Sequence, residues 1–87
     1  MLVDIYKVKR ASNPNELVYL FVQAGRKPSE LPSEITDPLG ELIFEKCLDI
    51  QSGQKRIALD TDQAIQDLEL DGYYIARVTF EHEVTPV

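Results

Sequence analysis

The stretch from Asp60 to Val78 constrains this chain most, because it spells out a complete helix-to-strand unit. It reads Asp-Thr-Asp-Gln-Ala-Ile-Gln-Asp-Leu-Glu-Leu-Asp-Gly-Tyr-Tyr-Ile-Ala-Arg-Val. Asp60 can cap a helix, and Gln63 follows at the three-residue spacing of a capping box. Asp62 brings negative charge to the first turn, where the helix dipole favours it. Ala64, Ile65 and Leu68 fall on one helical face. Gly72 suits the left-handed position just past a helix end. The aromatic and β-branched run from Tyr73 then predicts a strand. A helix with a single apolar face needs a sheet to cover, so the rest of the chain must supply one.

It does so in order. Leu2 to Val8 is a strand candidate with apolar side chains on both alternation sets. Lys9 to Glu16 is polar and holds the turn residues Asn13-Pro14-Asn15. Leu17 to Val22 is an unbroken apolar run, the signature of a strand buried on both faces. The two should form a hairpin with a long loop. Gly25 to Pro28 ends the second strand, and Ser29 can cap a first helix whose stripe is Leu31, Ile35 and Leu39. Pro32 is tolerated in a first turn. Pro38 disfavours helix at Asp37, so the helix should stop or distort there, and Gly40 ends it.

Glu41 to Ile50 is a third strand. Leu42, Phe44, Leu48 and Ile50 alternate onto one face, with Lys46 as the exception. The opposite face is more polar, which suits an edge or half-exposed strand. Gln51 to Arg56 is a polar turn around Gly53, Ile57 to Leu59 a short extended link, and Thr79 to Val87 a tail. The expectation is one α/β (α+β) domain over residues 1–87. Its order is β-β-α-β-α-β, with a four-stranded sheet covered by two short helices.

Composition narrows the function classes. The chain has 87 residues, 44% of them hydrophobic, enough for one thin core. Net charge is -6, which disfavours non-specific binding to nucleic acid or an anionic membrane. A lone cysteine, Cys47, cannot form an internal disulfide. The amino terminus lacks the pattern of a signal peptide. No apolar run approaches the roughly 20 residues that span a bilayer. The expected compartment is the cytoplasm.

Three constellations invite chemistry. Asp60 and Asp62 follow an apolar segment, like the Asp-x-Asp of aspartyl-phosphate hydrolases, where one carboxylate attacks phosphorus and the other handles the proton. The rest of that apparatus is missing, and helix capping explains both residues. Glu81-His82-Glu83 has metal-ligand types, but on a strand His82 points away from both glutamates. Cys47 has no base nearby in sequence and is expected to be a buried or half-buried structural thiol. No catalytic, cofactor or metal residues are assigned. The candidate interaction surface is Lys7, Lys9, Tyr73 and Arg77. Lys7 and Lys9 should share a strand face, and Arg77 approaches them if the first and last strands are neighbours. Such a basic patch beside an aromatic ring could bind RNA.

Several local signatures carry a resemblance that runs along nearly the whole chain. Asp4-Ile5-Tyr6-Lys7, Tyr19-Leu20-Phe21-Val22, Leu31-Pro32-Ser33-Glu34 with Leu39-Gly40, Lys55-Arg56-Ile57-Ala58 and Gly72-Tyr73-Tyr74-Ile75 occur in that order. Their order and spacing resemble the YcgL family of small bacterial proteins. Pro38, the long hairpin loop and Glu81-His82-Glu83-Val84 in place of a proline-rich tail depart from the family pattern. The resemblance implies an α/β sandwich with helices packed on a small sheet, and no catalytic residue is carried over with it. The reading expected from all of this is a non-enzymatic cytoplasmic module that contacts a protein partner, through the polar-faced strand Ile43 to Asp49. The alternatives are an RNA-binding accessory and, third, an enzyme with an acidic site at Asp60 and Asp62.

Overall fold

Two apolar faces place β2 (Glu16–Gln23) in the middle of the molecule. In the computed structural model, which describes residues 1–10, 15–53, 55–56 and 59–79, β2 lies between β1 (Leu2–Val8) and the last strand. Val18, Leu20 and Val22 point to one side and Phe21 to the other, all buried. β1 pairs antiparallel with β2, as the hairpin expectation required, and Val3 stands opposite Gln23. The turn at Asn13-Pro14 lies outside the described residues.

The other strands join at the two edges. β3 (Leu42–Asp49) pairs antiparallel with β1, and the final strand (Tyr73–Thr79) pairs antiparallel with β2. A two-residue ribbon precedes the long helix, with β4 (Lys55–Arg56) antiparallel to β5 (Leu59–Asp60). The final strand is therefore β6, and the main sheet has the order β3-β1-β2-β6. The ribbon replaces the simple turn and link expected there. Otherwise the observed order is the one read from the sequence, and the fold is α+β.

Each face of the sheet has its own core. The long helix α2 (Thr61–Leu70) buries Ala64 and Leu68 against Val3, Ile5, Phe21, Ile50 and Ala76. Ile65 packs at the margin of that cluster, so the helix face is the expected one. A fully buried leucine stabilises by about 1.5–3 kcal/mol. Gly72 ends the helix with φ 84°, and its N–H reaches the carbonyls of Asp67 and Leu68, both at 3.2 Å. Those bonds satisfy carbonyls that a helix end leaves without partners.

The opposite face is covered by residues 28–39. There Leu39 is buried and Leu31 packs beside Val8, Val18, Leu20 and Val22. The stripe expected of a first helix does this work, but without one continuous helix. A 3-10 turn (Pro28–Glu30), one turn of α-helix (α1, Ser33–Thr36) and a second 3-10 turn (Asp37–Leu39) follow each other. Ser29 sits inside the first turn instead of capping a helix. The Glu30 carboxylate accepts from the Lys27 N–H at 3.1 Å and closes that turn. The prolines explain the breaks. Pro32 pushes Leu31 to an extended ψ of 154°. Pro38 lacks the N–H that would continue α1, so the chain tightens to 3-10 geometry and leaves at Gly40 with φ 72°.

Candidate functional site

The basic residues singled out in the sequence do not gather. Lys7 stands opposite Tyr19, which belongs to the α2 side of the sheet. Arg77 stands opposite Val18, which belongs to the other side. β2 also separates β1 from β6. Lys9 lies beyond the end of β1, and its ammonium is 3.4 Å from the Glu41 carboxylate. Arg77 donates to Glu16 at 2.9 Å across β2 and β6. Tyr73 packs on the Arg77 side of the sheet. The expected patch is thus not formed: alternation puts Lys7 and Arg77 on opposite faces, and β2 separates their strands. Tyr74 points the other way, into the α2 core, with its ring 5.7 Å from Phe21 in an edge-to-face arrangement.

The acidic pair is built into the scaffold as far as it is described. One Asp62 carboxylate oxygen accepts from Ser52 Oγ at 2.9 Å and from the Gly53 N–H at 3.0 Å. The Gly53 N–H first, and then the Ser52 hydroxyl, hold this carboxyl below its ordinary value. Asp62 therefore clips the turn after β3 to the first turn of α2. Gln63 bonds Asp67 one helical turn on, at 2.7 Å. Asp60 ends β5 and stands just before α2, in the capping position, but its side chain lies outside the described residues. Glu81, His82 and Glu83 lie outside them too. Among the described residues no group of three His, Cys, Asp or Glu side chains is placed to hold a metal ion, and no helix is long and apolar enough to cross a membrane.

Cys47 departs from expectation: it is exposed, not buried. It lies on an edge strand opposite Asp4, and among the described residues no strand pairs with its outer side. Lost hydration, then a hydrogen bond to Asp4 and the charges of Asp4 and Asp49, push its thiol above the ordinary value. The thiolate is the reactive form, so these neighbours oppose activation. Asp4 also accepts from the Gly25 N–H at 3.2 Å.

The most unusual surface is β3 itself. Among the described residues no strand pairs with its outer side. Ile43 is 45% exposed and Phe44 54% exposed, on opposite faces of this one strand. Phe44 meets Tyr6 edge to face at 5.5 Å. The pairing with β1 slips between Ile5 and Tyr6: Lys46 stands opposite Ile5, but Phe44 opposite Tyr6. Glu45 is the extra residue of a bulge. The bulge corrects the expected alternation. Leu42 and Phe44 face the side of residues 28–39, while Leu48 joins the α2 core. The exposure of Ile43 and Phe44 was not anticipated. Its signal was the apolar triplet Leu42-Ile43-Phe44 followed by a charged residue, Lys46, on the apolar alternation set.

Neither the curated proteins nor the solved structures contain a significant match to the chain. A family model, the YcgL domain, matches residues 3–76. The matched span includes the β3 edge, the segment broken by Pro38, all of α2 and the first part of β6, and it ends before the tail that departs from the family pattern. Fold, local signatures and this match agree, and the chain belongs to the YcgL domain family.

Proposed function

We propose that this protein is a non-catalytic module of the cytoplasm that works by protein contact, with the outer edge of β3 as its contact surface. The observation that carries the reading is an eight-residue edge strand with Ile43 and Phe44 exposed. Such an edge offers backbone donors and acceptors to an incoming strand, and apolar side chains to hold it. The surroundings of Asp62 and Cys47 support the non-catalytic part. One is held by turn donors, and the thiol of the other is pushed above its ordinary value by lost hydration and then by Asp4 and Asp49.

The test is capture from a cell lysate with cross-linking, comparing the wild type with Ile43→Lys/Phe44→Lys. Both positions are exposed, so the variant should fold normally. The wild type is expected to retain specific proteins that the variant loses. Failure of the wild type to retain any would overturn the reading, and equal retention by the variant would remove β3 from it. Turnover in a substrate panel, abolished by Asp60→Ala or Cys47→Ala in a folded protein, would overturn the non-catalytic assignment.

A further inference from the structure

The bulge at Glu45 makes β3 selective about what can pair with it. On β1 the odd-numbered residues turn their backbone groups toward β3. At one end the Met1 carbonyl accepts from the Ile50 N–H at 2.9 Å, and at the other the Lys9 N–H donates to the Glu41 carbonyl at 2.9 Å. By antiparallel alternation, Ile43, Lys46 and Leu48 then turn their backbone groups inward to β1. Leu42, Phe44, Cys47 and Asp49 turn theirs outward. Without the bulge these four would not lie on one phase. With it, the outward groups sit symmetrically about the Glu45–Lys46 peptide.

A regular incoming strand cannot follow this pattern across the bulge, because a one-residue slip reverses every side chain beyond it. A strand with the same bulge can follow it. We propose that the outer edge of β3 pairs antiparallel with β3 of a second copy of this chain, about a two-fold axis between Glu45 and Lys46. The inference rests on the reading of β3 as a contact edge and names its occupant. In this register Phe44 lies opposite Cys47 of the second copy, and Leu42 opposite Asp49, giving a ladder of about eight backbone hydrogen bonds. Ile43 lies opposite Leu48 on the α2 side. Glu45 lies opposite Lys46, and symmetry repeats the ion pair.

Charge selects this register over its neighbours. Centring on Glu45 would oppose two glutamates, and centring on Lys46 would oppose two lysines, both unfavourable across strands. The chosen axis also uses the full length of β3. Net charge opposes association at low ionic strength, since each copy carries -6. At about 0.15 M salt that repulsion is screened beyond about 8 Å, while the facing pairs are closer.

Sedimentation velocity on the full chain tests this from ~10 µM to ~1 mM, a range suited to a small interface. The wild type should pass from monomer to dimer. Glu45→Lys and Lys46→Glu should each weaken association by about tenfold, because two facing pairs become repulsive. The double exchange E45K/K46E should restore it. Both positions are exposed, and circular dichroism is the check that each variant is folded. A monomer throughout the range, a species larger than a dimer, or a double exchange no better than the single variants overturns the proposal. A monomer that still captures a cellular protein through β3 refutes only the second copy and leaves the contact reading standing. A charge-swappable dimer whose wild type retains no other cellular protein supports the second copy and overturns only the cellular-partner reading.

Discussion

One oxygen of Asp62 holds a turn hydroxyl and a turn N–H together, so this residue anchors structure through its charge. Its carboxyl is held low in the folded protein, and the unfolded chain binds its proton at a higher pH. The stabilisation is thus complete above the ordinary aspartate range, about pH 4, and is lost as pH falls through the depressed folded value. Asp62→Ala should melt below the wild type near neutral pH, with the gap closing on acidification below about pH 4. Thermal melts at a series of pH values check this, and a gap independent of pH would disprove the coupling. Cys47 gives the complementary case of an exposed group kept quiet. It should react with a thiol reagent more slowly than a free cysteine at neutral pH, and Asp4→Asn should accelerate it. Stopped-flow alkylation measures both rates. No acceleration in the variant would remove Asp4 as the cause.

Among the elements, α2 is the one whose removal from the core should be felt most. Leu68 is 1% exposed and touches the cluster built on Val3, Ile5 and Phe21. Leu68→Ala should cost about 2–5 kcal/mol in urea unfolding, and Ile65→Ala, at a half-buried position, less. A loss under about 1 kcal/mol for Leu68→Ala would show that α2 does not carry this face. This element was legible in the sequence because its signals are local: acidic residues at the start, an i, i+4 apolar pair, and glycine at the stop. β1 and β2 were legible for the same reason. The segment 28–39 was legible in its stripe but not in its geometry, because each of three prolines removes a donor that a continuous helix would use. The bulge in β3 was visible only as the charged Lys46 on an otherwise apolar alternation set. Whether such an irregularity means a half-buried strand or an extra residue depends on the strand beside it. The β4–β5 ribbon left no periodic signal, since two residues per strand are too few to show one.

At the scale of the whole molecule, strand order decided what the sequence could not. Placing β2 between β1 and β6 separated Lys7 from Arg77, and placing β3 outside β1 left an edge. No local pattern distinguishes these arrangements, because each side chain keeps its alternation whichever neighbour its strand acquires. The same order gives a pattern of amide protection that reports on the edge directly. Amides of β1 and β2 are bonded within the sheet and should exchange slowly. On β3 the inward amides of Ile43, Lys46 and Leu48 should be slow, and the outward amides of Leu42, Phe44, Cys47 and Asp49 fast, in dilute solution. Raising the concentration into the range of self-association should slow the outward set alone, since the inward set is already bonded to β1. Hydrogen exchange read by NMR resolves the two sets residue by residue. Protection of both sets in dilute monomer would mean that the outer edge of β3 is already covered within the chain, and a contact surface would have to be sought elsewhere.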